Sequence, residues 1–412
     1  MKRRLLAMAA LTAVLLTACT QWDAQEPVIG IVDTDHEEST EPTEKNSENS
    51  VTNPPATPSK EMEETMSRVS VRVQTEQYDA TDDDGALLCT VRLSVPTVTV
   101  EGRDAAQSAI QAVLDQMADQ RRTEAEKVTD LARTDRPAME QYTTFQGYGV
   151  TDSLDLGRLD SRTINLLWTT SDNTGGAHGN TMTTAFVFDA ETGERLSLLD
   201  VAINTDALSM QLEEQVLQQM EQAPEQYFPE AQQWVPQLLE DGFWYFSEDG
   251  VVLLSNPGVL APYGAGTLEF TATYEALTGL LDERWIPDPA ADSQGEPQVA
   301  LIADDGAPTP KETVQADDFG AEMVLWTDGV LEDFRIWRVT GSDGVTWFRG
   351  GCCYAADRLE DGQAVGLTAM LPDVMTNVMI SYTVDGETVY RGIGESGKDG
   401  SVFFLELDTV ID

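Results

Sequence analysis

Thr163-Ile164-Asn165-Leu166-Leu167-Trp168-Thr169-Thr170 is followed by a polar, glycine-rich loop at 171–179, by Thr183-Thr184-Ala185-Phe186-Val187-Phe188, and by Asp189-Ala190-Glu191-Thr192-Gly193. The two apolar runs read as strands and the last five residues as a turn. Further on, Leu208, Leu212, Val216 and Met220 recur at the helical spacing and form one apolar face. Residues 243–246 and 251–254 then give two more strands, joined by Ser247-Glu248-Asp249-Gly250. Strands interspersed with a few helices, without a regular βαβ rhythm, predict an α+β fold of mixed or antiparallel sheets with a few packed helices.

Working outward toward the N-terminus, Val69, Val71 and Val73 alternate as a half-buried strand does. Asp82-Asp83-Asp84-Gly85 offers turn chemistry before an apolar run at 86–100, so the pair reads as a hairpin. Ala106, Ile110, Val113, Leu114 and Met117 predict an amphipathic helix capped by Asp104, followed by a second, charged and exposed helical piece at 123–133. Toward the C-terminus, a stretch rich in Pro, Ala, Gly and Asp reads as a linker over 288–316. Beyond it, strand-like runs at 322–327, 334–340, 346–349, 378–384 and 401–407, separated by Asp-Gly turns, predict a small all-β, sandwich-like C-terminal domain over 317–412. The two α+β stretches before the linker occupy 67–156 and 157–287.

The chain has 412 residues, with 25 Lys+Arg against 72 Asp+Glu and a net charge of −47. Such acidity excludes a nucleic-acid binder, because neutralising phosphates requires a basic face. It equally excludes electrostatic docking onto anionic lipid. Lys2, Arg3 and Arg4 precede an apolar run from Leu5 to Leu16, too short to span a ~30 Å hydrocarbon core and of secretory-signal form. Leu16-Thr17-Ala18-Cys19 resembles the bacterial lipobox, which implies a signal peptide over 1–18, lipidation at Cys19 and a lipid anchor at the extracytoplasmic face of the membrane. The acidic Ser/Thr/Pro/Glu-rich segment 19–66, which holds His36, reads as a disordered tether. Without residues 1–18 the charge becomes −50, and about −40 belongs to the part beyond the tether.

Asn173-Thr174-Gly175-Gly176-Ala177-His178-Gly179-Asn180, with Phe188-Asp189, Thr192-Gly193 and Leu196-Ser197-Leu198, resembles a bacterial extracytoplasmic family, domain of unknown function 3298. Phe246-Ser247-Glu248-Asp249-Gly250-Val251, Asn256-Pro257, Ala261-Pro262-Tyr263 and Gly266 carry the resemblance further. That family includes the outer region of the RsiV anti-sigma factor, which senses lysozyme, and the non-catalytic region of the peptidoglycan deacetylase PdaC. The stretch 67–156 resembles the small companion domain that precedes it. No sigma-binding segment and no deacetylase ligand set accompanies these phrases, which departs from both relatives.

The loop Asn173, Gly175, Gly176, His178 and Asn180 is the candidate ligand loop: glycines admit close backbone approach, and His178 could serve as an acid, base or contact residue. The competing reading is a strand connection needing positive φ, with His178 satisfying nearby backbone groups. One histidine makes no zinc site, and no cofactor or metal is expected. Asp82-Asp83-Asp84-Gly85 lacks calcium-loop spacing and reads as a turn. Cys352-Cys353 could bond each other in a strained ring, or one could bond Cys89. No nucleophile elbow or phosphate-cradling loop is present, and no catalytic residue is assigned. The sequence therefore predicts a lipid-anchored, non-enzymatic binding or sensing protein of the cell envelope, whose ligand is a cationic, lysozyme-like protein or cell-wall glycan. The alternative is an accessory or catalytic component of peptidoglycan modification, a hydrolase or esterase.

Overall fold

Alternating valines start the main sheet. β1 (Val69–Thr81) and β2 (Leu87–Val100) pair antiparallel from Val69↔Val100 onward, and Gly85, at φ +82°, closes the turn between them. The computed structural model describes residues 68–411 except 177, 289–290, 305, 318, 344, 372–375, 397–399 and 408. The signal peptide, Cys19 and the tether with His36 lie outside the described residues.

β2 continues into α1 (Asp104–Met139), which crosses over to place β3 (Tyr148–Leu159) parallel to β2; parallel neighbours require such a crossover. The two helical pieces expected from the sequence are this single helix. Its buried positions, Ala106, Ile110, Leu114, Ala118, Arg121, Ala125, Val128 and Ala132, keep one stripe throughout. The segment 123–133 is therefore amphipathic, with Ala125, Val128 and Ala132 packed on Leu88, Cys89 and Val91 of β2. The N-cap is Arg103, not Asp104, which instead puts its charge in the first turn.

β4 (Thr163–Asn173) and β5 (Asn180–Asp189) extend the sheet antiparallel. A short α2 (Leu198–Val201) and α3 (Thr205–Glu221) follow, and α3 buries the expected Leu208, Leu212, Val216 and Met220. They pack over a small antiparallel sheet of β6 (Trp244–Phe246), β7 (Gly250–Ser255) and β8 (Leu268–Thr273). Two buried carboxamides clip this sheet to the large one. Asn165 accepts from the Phe246 amide (2.9 Å), and Asn256 brackets Thr183 by accepting from its amide (2.7 Å) and donating to its carbonyl (2.9 Å). Buried amides need such partners.

The remaining strands are β9 (Pro297–Leu301), β10 (Glu312–Gln315), β11 (Ala321–Thr327), β12 (Leu331–Ser342), β13 (Thr346–Leu359), β14 (Ala364–Ala369), β15 (Val378–Val384), β16 (Glu387–Glu395), β17 (Val402–Glu406) and β18 (Thr409–Ile411). The order β10-β14-β11-β9 forms a sheet facing β12, β13 and β15 across a shared core of Met323, Leu325, Phe334, Ile336, Leu367 and Ile380. That is the sandwich-like packing expected of 317–412, with two corrections. The proposed linker 288–316 contains β9 and β10. Moreover β13 pairs with β1, so one sheet runs β17-β16-β15-β12-β13-β1-β2-β3-β4-β5 through all three stretches, and the described residues cluster as one unit.

Cys352 and Cys353 are successive residues of β13 and point to opposite faces, the first into the core beneath α1 and the second into the sandwich core. Cys89 sits in a third cluster beside α1. All three are buried free thiols, contrary to either disulfide considered from the sequence. Burial pushes each thiol up, and that of Cys352 furthest.

Candidate functional site

Two buried arginines organise the junction of the three stretches. Arg158, 1% exposed near the end of β3, donates through Nε to Asp160 (2.7 Å) and through Nη1 to the Tyr274 hydroxyl (2.7 Å) and the Trp285 carbonyl (2.6 Å). Its guanidinium lies against the Phe246 and Tyr274 rings. Arg335 on β12 donates through Nε to Asp333 (2.9 Å), through Nη1 to the Leu156 carbonyl (2.9 Å) and through Nη2 to the Gly157 carbonyl (3.0 Å). Gly157 lies in a register irregularity of β3, where a Cβ would stand 2.5 Å from the Tyr245 ring, so the chain can approach β6 only with glycine there. Asp333 adopts φ 48°, a left-handed conformation that Asp tolerates better than most residues.

Each arginine thus holds one carboxylate at the rim of a cleft of ≈ 490 Å³. The β3–β4 turn contributes Asp160 and Arg162, the β6–β7 turn Glu248 and Asp249, the segment after the Glu283–Trp285 turn Asp288, β12 Glu332 and Asp333, and β13 Asp357 and Arg358. Seven carboxylates therefore face two arginines across its walls. Both arginines are engaged, Arg162 with Asp288 (2.6 Å) and Arg358 with Glu360 (2.9 Å). Glu248 and Glu332 form no ion pair among the described residues.

The confinement alters their acidity. Glu248 reaches solvent, yet the cleft walls displace much of the water around it. That burial, with the Asp333 and Asp160 charges adding and Arg335 and Arg158 opposing, pushes its carboxyl up to about 7. Burial likewise pushes Asp357 up to about 7, against the amides of Val69 (3.2 Å) and Arg358 (2.9 Å) that donate to it. Glu332 is also raised by burial. Such a cleft can receive a positively charged group, which replaces the missing counter-charges, and its own charge changes near neutral pH. Among the described residues no Trp, Tyr or Phe lines it. Among the described residues no group of three or more His, Cys, Asp or Glu is arranged to hold a metal ion.

The loop singled out in the sequence lies elsewhere and lines no part of this cleft. Asn173 Oδ1 accepts from the Gly175 amide (3.0 Å), and Gly175 takes φ +79°. The His178 ring stacks on Tyr263 at 3.9 Å between centroids, and its Nδ1 sits 2.9 Å from the Gly179 carbonyl. Tyr263 ties the connection down by donating to that carbonyl (2.6 Å) and accepting from the Thr181 amide (3.0 Å). Gly176 and Asn180 are exposed, and Asn180 opens β5 opposite Asp172. The structure thus brings the loop together with Tyr263 as a braced strand connection. Asp82 and Asp84 form ion pairs with Arg136 of α1 (3.1 and 2.6 Å).

Sequence reasoning missed the cleft carboxylates because acids are common throughout this chain. The one local signal was Ser247-Glu248-Asp249-Gly250, whose turn was legible but whose neighbours Asp333 and Asp357 arrive from β12 and β13. Of the described tryptophans, Trp168, Trp244, Trp285 and Trp337 are buried, and only Trp234 is substantially exposed, at 43%, outside the cleft.

Residues 201–275 carry a domain described as "Protein of unknown function (DUF3298)". They run from α2 through α3 and the 3₁₀ segments to β8, and include the second of the two phrases quoted above. A DUF3298 family member from Bacteroides fragilis, known from a crystal structure, is 15% identical, covering 52% of this chain and 94% of its own, with a TM-score of 0.41. A DUF3298 family protein from Pseudomonas aeruginosa is 12% identical, covering 53% of this chain and 97% of its own, with a TM-score of 0.37. No curated protein matches the chain.

Proposed function

We propose that this chain is a non-enzymatic binding or sensing protein of the bacterial cell envelope, anchored by lipid at Cys19, whose acidic cleft receives a cationic segment of a protein ligand. One observation carries the reading: of the seven carboxylates that line the cleft, Asp160, Asp288 and Asp333 are paired with Arg158, Arg162 and Arg335, while Glu248, Asp249, Glu332 and Asp357 form no ion pair among the described residues. A lysine- or arginine-rich segment supplies the absent counter-charge, and the overall charge of −47 steers such partners toward it. The resemblance to the lysozyme-sensing region of RsiV and the non-catalytic region of PdaC agrees with a lysozyme-like partner. Glycan binding draws less support, because sugars dock on exposed aromatic faces and, among the described residues, none lines the cleft. An esterase or hydrolase reading draws no support from His178, whose ring is stacked on Tyr263 and placed against Gly179.

The test is titration of the chain with lysozyme at low salt. Binding is expected, with Glu248→Gln plus Glu332→Gln weakening it by about tenfold or more, ~1.4 kcal/mol, and His178→Ala leaving it unchanged. Failure of lysozyme and of polylysine alike to bind would sink the proposal. Retention by the double variant would move the interface away from the cleft.

A further inference from the structure

Against the acidity of the chain, Thr75 and Gln77 of β1 and Arg92 of β2 border a small basic pocket. It has a volume of ≈ 100 Å³, the room of about three waters. Arg92 of β2 and Arg338 of β12 line it with Thr75, Gln77, Gln315 and Asp317. Most guanidiniums in this protein hold carboxylates, as Arg121, Arg136 and Arg335 do. Neither Arg92 nor Arg338 forms an ion pair among the described residues. Arg338 is nonetheless fixed in place, its Nε donating to the Ala316 carbonyl (2.9 Å) and its Nη2 to Thr75 Oγ1 (2.8 Å). Because Thr75 accepts that bond, its own hydroxyl proton remains to donate. Gln77 stands directly opposite Arg92 in the β1–β2 ladder.

A third guanidinium, that of Arg72, reaches the Thr313 carbonyl (3.4 Å) on β10, the strand that leads into the pocket, and leaves its buried Nε without a partner. Arg72 does not line the pocket itself, so the cationic groups offered to an anion there are Arg92 and Arg338. Asp317 looks out of place in such a site. Its Oδ2 is held by the Met370 amide (3.0 Å), so it stays rather than swinging away. A carboxylate beside two guanidiniums repels an anion that has no proton, yet accepts a hydrogen bond from one that carries an O–H.

We propose that this pocket binds hydrogen phosphate, with Arg92 and Arg338 taking the anionic oxygens and Asp317 accepting from the protonated oxygen. The site is separate from the acidic cleft and does not depend on what that cleft binds. No bond is made or broken, and the selectivity is for an oxyanion with a proton to donate.

Calorimetric titration of the whole chain with inorganic phosphate and with sulfate, at pH 7 and matched ionic strength, tests it. Saturable phosphate binding is expected, with sulfate weaker by about tenfold or more. Arg92→Gln should lower phosphate affinity by a similar factor. Asp317→Asn should abolish the preference by admitting sulfate, an effect of opposite sign that simple loss of structure would not give. A phosphate monoester run at pH 8, where it lacks an O–H, should bind more weakly than inorganic phosphate, which still has one. The proposal is overturned if phosphate does not saturate, if sulfate binds equally well to the unaltered chain, or if either substitution leaves both affinities unchanged.

Discussion

Glu248 and Asp357 keep their protons far above the ordinary carboxylate range because the cleft walls replace water with protein while neighbouring acids add charge. Each therefore binds its proton more tightly in the folded chain than in the unfolded one. As pH rises from the ordinary range toward about 7, the unfolded chain ionises them at lower cost, and the fold loses stability. Glu248→Gln removes one such ionisation. Its melting temperature should exceed that of the unaltered chain near pH ~8, and the gap should narrow toward pH ~5. The same carboxylates must be charged to hold a cation, so affinity for a cationic probe should fall as pH drops through about 7. Arg121 of α1 poses the converse case. It bridges Asp152 and Asp172 (2.8 Å each), and the Asp152 side chain is fully buried. Arg121→Met strands that carboxylate and should cost ~3–5 kcal/mol, read from the urea midpoint. At the cysteines, alkylation without reductant should label none of Cys89, Cys352 and Cys353 in the native chain and all three after unfolding. A disulfide would leave two of them unlabelled in both states.

Among the elements, α1 shows how a stripe survives a change of composition. Its first half buries Ile110 and Leu114, and its second half buries mostly alanine and valine, so charge obscured the pattern while the spacing of three and four persisted. The 189–193 turn pins the start of this helix. Gly193 sits at φ +78°, and a Cβ there would lie 2.5 Å from the Ala106 carbonyl oxygen. Gly193→Ala should therefore cost ~2–4 kcal/mol, from the left-handed backbone and the clash together, measured by denaturant unfolding. Strands β9, β10 and β14 escaped the sequence reading for a different reason. They are four to six residues long; β9 and β14 carry Pro, Ala or Gly in place of a run of branched residues, and β10, Glu312–Gln315, has only Thr313 and Val314 between polar ends. Their pairing partners, not their own propensities, make them strands.

For the whole molecule, the β13–β1 ladder is decisive. Ser70, Val71 and Arg72 pair with Ala356, Ala355 and Tyr354, and Trp337, Cys352 and Met379 join the core beneath α1. A fragment ending at 287 should lose this support, expose the edge of β1, and show weak near-ultraviolet dichroism and aggregation. The chain containing 67–412 should unfold in one cooperative transition. A fragment with its own sharp, reversible transition would argue against this coupling. The acidic cleft belongs to the same scale, since its carboxylates come from segments between residues 160 and 357. The sequence by itself determined the α+β class, the β1–β2 hairpin, the apolar face of α3 and the strand pairs around 163–188 and 243–254. These rest on local periodicity and turn chemistry, which a short window contains. Tertiary structure alone decided that three stretches share one sheet, that Cys352 and Cys353 part to opposite cores, and that Glu248 meets Asp333 beside two buried arginines. Those outcomes depend on pairings between segments far apart along the chain, and in so acidic a chain no local charge pattern distinguishes the carboxylates that converge from those that merely face water.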